Sequence, residues 1–235
     1  MREIFGTAQM AKSCTKCEKT PCIRINLLGY CRGCFEEQLL AKVAKHLHGL
    51  TPDTRVLLYL SESHASAALC QILEKFFAKR ARISVVAYCK NRELLIDCSF
   101  ETCTEDLSDD TVDNTEPGER VLQYCRDRSI GAVIYQRSLE RIIAASLEML
   151  CDGDGLSAVQ NTITKSIDGV RLINPFCGVK EKEIAYYMYL NGIRRHGSHG
   201  PVSKVRRALV DFLYETEDKN GLALFNIINT LRKLG

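Results

Sequence analysis

Short apolar segments alternate with amphipathic stretches through the middle of the chain. Arg55–Leu60 (RVLLYL) is an almost continuous apolar run of strand length, and apolar residues between Ala65 and Phe77 recur at helical spacing. The same alternation predicts two further strands, at 82–88 and 132–135, and two further helices, at 121–127 and 139–150. Strands separated by helices form parallel sheets that are covered on both faces. We therefore expect the α/β class, with a doubly wound, mainly parallel sheet.

The last part of the chain has mainly helical patterning. One more strand is predicted within Asp168–Pro175, followed by a helix from Lys180 to Leu190 that ends before Asn191-Gly192. Two further amphipathic helices are predicted, one opening near Pro201 and one carrying the apolar residues from Leu224 to Leu231. We expect these last two helices to pack as a pair against the sheet domain.

Charge is distributed unevenly along the chain, although the formal net charge is only +3. Residues 1–48 hold 8 Lys and Arg against 4 Asp and Glu, residues 49–164 hold 12 against 18, and residues 165–235 hold 12 against 7. Two basic ends around an acidic middle suit contact with a polyanion, and equally suit a mixed solvated surface. Much of the acidity lies in residues 99–119, where the lack of sustained periodicity predicts a flexible surface loop.

Nothing in the sequence predicts a membrane protein. No apolar run reaches the roughly 18 residues that a membrane-spanning helix needs, and Met1–Ser13 lacks the apolar core of a secretory signal. Five of the 12 cysteines fall within the first 34 residues, which favours a metal site plus buried thiols over a disulfide scaffold. We therefore expect a cytoplasmic protein that binds no membrane.

Two C-x2-C pairs near the N-terminus give the most specific chemical signal. Cys14 and Cys17 form the first pair, Cys31 and Cys34 form the second, and thirteen residues separate them. Each pair can fold as a tight turn, and two such turns supply the tetrahedral set of four sulfurs that Zn2+ prefers. Four thiolates leave no open position, so the predicted zinc is structural. Unmetallated or redox-active thiols are the alternative, and Cys22 could replace one of the ligands.

This segment predicts a separate N-terminal module. Residues 11–34 have few large apolar side chains, so a metal would have to stabilise their fold. A helix from Phe35 to His48 follows directly and would anchor the module to the sheet domain. We divide the chain into a zinc-ribbon-like module with its linking helix, residues 1–50, and an α/β domain with C-terminal helices, residues 51–235.

The loop after the first strand of the sheet is the expected place for a nucleotide phosphate, because backbone N–H groups and the helix dipole converge there. The loop reads Ser61-Glu62-Ser63-His64-Ala65-Ser66. Its position and serine spacing resemble the S-G-G-x-x-S pyrophosphate loop of the PP-loop ATP pyrophosphatases, a family that adenylates substrates such as tRNA bases. The resemblance implies a sheet of the PP-loop type.

The loop departs from that motif in its chemistry. Glu62 and Ser63 stand in place of two glycines and hinder a close approach of backbone to phosphate, and Glu62 also adds a negative charge beside the anion. His64 and Ala65 stand where active members have Lys and Asp. Only the two outer serines remain, so we expect a degenerate loop that does not bind ATP, an ordinary turn capped by a serine.

The resemblance extends along most of the chain. The N-terminal cysteine pairs, the segment Val133–Ser157, the segment Asn174–Ile193 (NPFCGVKEKEIAYYMYLNGI) and the C-terminal helices occur in the order of the eukaryotic cytoplasmic tRNA 2-thiolation pair. With its altered loop, the chain resembles the diverged sister of that pair, the cytoplasmic tRNA 2-thiolation protein 2 family, as a short member. This implies a non-catalytic subunit in 2-thiolation of the wobble uridine of tRNA. The implied partners are tRNA, a catalytic PP-loop subunit in a heterodimer, and a thiocarboxylated ubiquitin-related modifier that supplies sulfur.

The remaining candidate residues give weaker signals. Active thiolating members use cysteines of the sheet domain to handle sulfur or an iron–sulfur cluster. The seven cysteines of this chain beyond residue 50 form no C-x2-C pair, so we expect buried, unreactive thiols. A basic cluster near the C-terminus could contact tRNA phosphates or form a solvated helix face. It comprises Arg194, Arg195, Lys204, Arg206 and Arg207.

Two other functions stay open at the level of sequence. The first is an active PP-loop thiouridylase with an unorthodox phosphate loop, in which replacing Ser61 and Ser66 would abolish saturable ATP binding. The second is a zinc-ribbon interaction module with no role in tRNA chemistry. Retention of tRNA only by a complex that contains this chain would argue against that second alternative.

Overall fold

A six-stranded sheet organises the computed structural model, which describes residues 13–26, 28–61, 63–78, 83–90, 98–107, 117–153, 165–193 and 203–234. A separate antiparallel hairpin near the N-terminus consists of β1 (Ile23–Ile25) and β2 (Leu28–Tyr30). The sheet consists of β3 (Arg55–Leu60), β4 (Ser84–Cys89), β5 (Glu101–Thr102), β6 (Ala132–Ile134), β7 (Lys165–Ile167) and β8 (Val170–Ile173). Its order is β5-β4-β3-β6-β8-β7, and all neighbours are parallel except β7 and β8. The predicted α/β class with a mainly parallel sheet is confirmed.

Seven helices surround the sheet in the described part of the chain. They are α1 (Arg32–His46), α2 (His64–Phe77), α3 (Glu119–Asp127), α4 (Leu139–Asp152), α5 (Glu181–Leu190), α6 (Lys204–Lys219) and α7 (Ala223–Leu234). Helix α4 begins after Ser138, whose hydroxyl accepts the N–H of Arg141, and ends at Gly153 in the left-handed conformation. Helix α6 begins after Ser203, which caps the helix in the same way. None of these helices is both long and apolar enough to cross a membrane.

Both faces of the sheet are buried, because side chains alternate between the faces of a strand. Val56, Leu58 and Leu60 of β3 pack in one core with α1, α2 and α5. Leu57 and Tyr59 of the same strand pack in a second core with α3. A third core joins α4 to the pair α6 and α7. Burial on both sides explains why β3 is almost continuously apolar in sequence.

The prediction of a flexible acidic loop at residues 99–119 is wrong for the first part of this segment. Glu101–Thr102 forms β5, which pairs in parallel with Val86 and Ala87 of β4. Cys103 and Leu107 are buried in the core that includes α3. A strand of two residues is too short to show a hydrophobic period, so the acidic composition of this segment predicted a loop instead. Residues 108–116 lie outside the described residues.

A buried lysine joins three parts of the molecule. Lys180, the residue before α5, is fully buried. Its Nζ donates to Oδ1 of Asn26 (2.7 Å), to Oε1 of Glu217 (2.8 Å) and to the carbonyl oxygen of Gly221 (2.9 Å). These acceptors belong to the turn between β1 and β2, to α6 and to the connection between α6 and α7. Because a buried ammonium group without acceptors is costly, this contact fixes how the hairpin and the C-terminal helices pack on the sheet domain.

We predict that Lys180→Met lowers the free energy of unfolding by about 3–5 kcal/mol, because it leaves the buried carboxylate of Glu217 without its buried partner. Lys182→Met is the matched control. Lys182 Nζ also lies 2.8 Å from Oε1 of Glu217, but its side chain is 46% exposed, so we expect a loss of about 0.5 kcal/mol. Urea denaturation measures both variants, and equal losses would contradict the prediction.

Candidate functional site

The carboxyl ends of β3 and β6 mark a switch point in the sheet. The chain leaves β3 for β4 on one side and later returns to β6 on the other side. Ligands of open parallel sheets bind at such switch points, because the loops that leave the two strands diverge and open a crevice. Ser61 follows β3, and Gln136 lies two residues beyond the end of β6. The predicted phosphate loop therefore lies at the ligand-binding edge of the sheet.

Gln136 joins three serines of this loop. Its Nε2 donates to the Oγ atoms of Ser61 (2.7 Å), Ser63 (2.8 Å) and Ser66 (2.5 Å). The hydroxyl of Ser66 donates to the carbonyl oxygen of Ser61 (2.7 Å), which closes the turn into α2. Ser61, Ser66 and Gln136 are buried, whereas Ser63 is half-buried. The three hydroxyls thus gather around one amide group at the N-terminus of α2.

The expected capping by a serine is observed at Ser61, whose Oγ accepts the backbone N–H of Ser63 (3.4 Å). Ser63 occupies the N-cap position of α2, but its side chain makes no capping hydrogen bond. The Ser63 hydroxyl accepts instead from Ser61 and from Gln136. Ser63 therefore gives the first N–H groups of α2 no side-chain cap, an arrangement that suits an anionic ligand. Glu62 lies outside the described residues, and of His64 only its backbone position at the start of α2 is described.

Two arginines bring positive charge to the same cleft. The cleft is lined by Ser63, Ala65, Gln136, Arg137, Ser138, Arg141, Glu181 and Ile184. Arg137 is buried between β6 and α4, and Arg141 lies in the first turn of α4 with its Nε 2.8 Å from Oε1 of Glu181. Sequence reasoning missed Gln136 and both arginines because it sought the cations within the loop after β3. The polar Gln-Arg-Ser run directly after a predicted strand was the signal that could have identified them.

A buried carboxyl group supports this edge of the cleft from inside the fold. Glu140 is fully buried on α4, and its two carboxyl oxygens accept the backbone N–H of Glu181, at 3.1 and 3.0 Å. This contact caps the N-terminus of α5 and fixes it against α4. Burial, assisted by the nearby charge of Glu181, raises the pKa of Glu140 to about 8.

The four predicted metal-ligating cysteines come together at the start of α1. The Sγ atoms of Cys14, Cys17, Cys31 and Cys34 all lie within 4.8 Å of one another, and those of Cys17 and Cys31 are 3.4 Å apart. Backbone hydrogen bonds between Cys14 and Lys19 and between Lys19 and Cys17 fold the first pair as a tight turn. Cys31 and Cys34 lie at the N-cap and in the first turn of α1, where the helix dipole favours thiolates.

Local contacts set the protonation of this group. Hydrogen bonding from the backbone of Cys31 lowers the pKa of Cys14 to about 6, and the backbone of Cys34 lowers the pKa of Cys31. The sulfur of Cys17 raises the pKa of Cys34 to about 12. Four sulfurs placed about 2.3 Å from one tetrahedral ion lie about 3.8 Å from each other. The observed group therefore has the dimensions of a site for a single metal ion.

Cys22 and the two histidines after it lie apart from the four-cysteine group. The exposed Cys22 donates its Sγ–H to the carbonyl oxygen of Tyr30 (3.4 Å), so the structure does not place it as a substitute ligand. His46 is half-buried, with its Nε2 3.3 Å from Sγ of the buried Cys177. His48 is exposed.

The structure describes three of the five predicted tRNA-binding residues. Lys204, Arg206 and Arg207 lie in the first turn of α6. Arg206 Nε is 2.6 Å from Oε2 of Glu148 on α4, so this arginine joins two helices. Lys204 and Arg207 are exposed. The other two, Arg194 and Arg195, lie outside the described residues.

The raised pKa of Glu140 makes a testable prediction about pH. The folded state holds this proton more tightly than the unfolded state, so stability falls as pH rises from about 4.5 to about 8. Glu140→Gln keeps an oxygen acceptor for the N–H of Glu181 but does not ionise. We predict that its melting temperature falls less than that of the wild type across this interval. Thermal melts of both proteins at the two ends of this pH interval measure the difference. An equal fall in melting temperature for the variant and the wild type would refute the prediction.

Comparison with known proteins gives a match in structure but not in sequence. No protein-family model matches the chain, and no curated protein matches it. Among solved structures, the U34-tRNA thiolase NcsA from Methanococcus maripaludis with its [4Fe-4S] cluster matches with a TM-score of 0.78. The match covers 96% of this chain and 88% of that chain, at 17% sequence identity.

The comparison corrects one prediction and confirms another. The prediction that this chain is a non-catalytic subunit is wrong, because the matched fold is that of a tRNA thiolase. The cleft also contains two arginines, Arg137 and Arg141, that supply the positive charge missing from the loop itself. The predicted architecture, in which an N-terminal cysteine group precedes a PP-loop-type sheet, is confirmed. The chain thus has the same α/β fold as that solved thiolase.

Proposed function

We propose that this chain is an ATP-dependent tRNA thiolase of the PP-loop type, which 2-thiolates the wobble uridine. The observation that carries the proposal is the polar cleft at the switch point of a fold that matches a U34-tRNA thiolase. That cleft combines serine hydroxyls, the N-terminus of α2 and two arginines. These are the groups that bind phosphate in proteins.

The PP-loop resemblance implies a reaction in two steps. The C2 oxygen of uridine attacks the α-phosphorus of ATP and releases pyrophosphate, and a sulfur nucleophile then displaces AMP from C2. In this chain, Ser61, Ser63 and Gln136 would donate hydrogen bonds to phosphate oxygens. Arg137 and Arg141 would offset the negative charge that the leaving pyrophosphate develops.

The altered loop changes which residues provide the binding energy for phosphate. In the glycine-containing motif the backbone and a lysine of the loop grip the anion, whereas here the loop has serine side chains. The positive charge comes instead from the opposite wall of the cleft, from Arg137 and from Arg141 in the first turn of α4. We therefore expect nucleotide affinity to depend on this wall more than on the loop.

The iron–sulfur cluster of the matched thiolase does not fit the described cysteines of this chain. A [4Fe-4S] cluster is held by cysteine thiolates, each bound to a separate iron. In the described part of the sheet domain, Cys70 and Cys98 come together with a carboxylate, Glu74, as their third neighbour. The N-terminal group has the dimensions of a single-ion site. No step of the proposed reaction therefore depends on a cluster.

For the four-cysteine group we propose a structural zinc ion. A set of four thiolates matches the preference of Zn2+ and leaves no position for substrate. The site would hold the β1–β2 hairpin against α1. The catalytic PP-loop partner and the thiocarboxylated modifier stay predictions of the resemblance, and tRNA is the proposed substrate.

Substitution of Arg141 tests the nucleotide site. We predict that Arg141→Gln weakens ATP binding at least about tenfold, because it removes a charge that phosphate would contact. Arg128→Gln is the charge-matched control, because Arg128 precedes β6 at the opposite end of the sheet and forms an ion pair with Glu105. Calorimetric titration with ATP and Mg2+ measures both variants against the wild type.

A cellular assay extends this test to the reaction itself. In cells that lack the gene, we expect the wild-type chain and Arg128→Gln to restore thiolated wobble uridine, measured by mass spectrometry of tRNA digests. Arg141→Gln should restore far less. An unchanged level of thiolated uridine on deletion of the gene would remove the proposed function.

The zinc assignment has its own test. We predict that the double variant Cys14→Ser, Cys17→Ser loses about one zinc ion per chain, because a tetrahedral site with two thiolates removed cannot close. Amide hydrogen exchange should accelerate in β1 and β2 and stay slow in β3 and β6. The control is Cys22→Ser, which removes a thiol of the same module that lies outside the group. Full zinc content in the double variant would disprove the site.

A further inference from the structure

A second group of metal-ligating side chains lies beside the phosphate loop. Cys70 and Glu74 are one turn apart on α2, and Cys98 lies in the connection from β4 to β5. Their ligand atoms all lie within 4.8 Å of one another. The Sγ atoms of Cys70 and Cys98 are 3.2 Å apart, close to the 3.4 Å between Cys17 and Cys31 in the N-terminal group.

We propose that Cys70, Glu74 and Cys98 bind one Zn2+ ion through three protein ligands and leave its fourth position exchangeable. The donor set selects the class of metal. Two thiolates favour a thiophilic ion over Mg2+ or Ca2+, which prefer oxygen ligands, and Zn2+ accepts sulfur together with a carboxylate.

The carboxylate of this site is already oriented. The backbone N–H of Ser99 donates to Oε1 of Glu74 at 2.6 Å. This bond holds the carboxylate in place and attaches the segment that bears Cys98 to α2. The second oxygen of Glu74 is left for a metal, as in metal sites whose ligands are fixed by outer hydrogen bonds.

The burial of the three ligands indicates how open the site is. Cys70 is only 6% exposed, whereas Glu74 and Cys98 are half-buried. One side of the site is therefore formed by the core and the other reaches solvent. Structural zinc sites use four protein ligands, and sites with three retain a water or an exogenous ligand. The geometry thus distinguishes this site from the closed N-terminal one.

The site lies close to the cleft, although its metal binding does not depend on the proposed function. Ser66 of the phosphate loop is one turn before Cys70 on the same helix. Cys89, at the end of β4, has its Sγ 4.0 Å from the carbonyl oxygen of Ser61. The absence of a C-x2-C pair beyond residue 50 therefore does not exclude a cysteine group, because α2 and the β4–β5 connection bring Cys70 and Cys98 together.

Zinc analysis of the full chain, purified under reducing conditions, tests the proposal. We expect about two zinc ions per chain in the wild type and about one in the variant Cys98→Ser, since a site with two remaining ligands binds weakly. Cys151→Ser is the matched control, because Cys151 is an exposed thiol outside both groups. It should retain about two ions. Glu74→Gln should also lower the zinc content while preserving both thiols.

The exchangeable position is tested by competition with a chelator. One of the two zinc ions should transfer to the chelator at least about tenfold faster than the other, because fewer protein ligands hold it. Cys98→Ser should lack only this fast phase, with an unchanged far-UV circular dichroism spectrum showing that the variant is folded. Equal zinc content in the wild type and in Cys98→Ser would overturn the proposal. A Cys70–Cys98 disulfide whose reduced form takes up no zinc would also overturn it.

Discussion

The buried ammonium group of Lys180 links three separate segments of the part of the chain that the structure describes. It is fully buried, and its three acceptors come from the N-terminal hairpin, from α6 and from the α6–α7 connection. Removing a partner from a buried charge is strongly destabilising. Each of these segments is therefore held in one position relative to the others. Hydrogen bonds from Lys180 and Lys182 outweigh the effect of burial and lower the pKa of Glu217, which keeps the carboxylate charged.

That rigidity bears directly on the cleft. Lys180 precedes α5, whose first residue, Glu181, accepts the Nε–H of Arg141 and donates its backbone N–H to Glu140. The residue that anchors the hairpin and C-terminal helices therefore also places one wall of the cleft. Positive charge from Arg141 and from the N-terminus of α2 is partly balanced by Glu181 before any ligand binds. An anion that enters the cleft competes with a carboxylate for the arginine, which favours a multiply charged ligand such as a triphosphate over a single phosphate.

Local patterns predicted the fold well and the site only in part. The strand at Arg55–Leu60 and the helix after it were predictable because their periodicity is contained in a few residues. The four N-terminal cysteines were predictable because their spacing within the chain encodes the geometry. Gln136 was not, since its partner Ser61 lies 75 residues earlier and only the sheet brings them together. Cys70 and Cys98, 28 residues apart, escaped detection for the same reason.

The two cysteine groups differ in what their donor sets permit, and this difference separates their roles. Four thiolates around one ion would complete its coordination shell, so an ion bound by the N-terminal group would only hold β1, β2 and α1 in place. Two thiolates and a carboxylate leave that shell incomplete, so an ion at Cys70, Glu74 and Cys98 would keep a ligand that exchanges. Because α2 carries both Ser66 and Cys70, any ligand on that ion would lie about one helical turn from the phosphate loop. The same helix would then carry both a serine of the phosphate loop and a ligand of that ion.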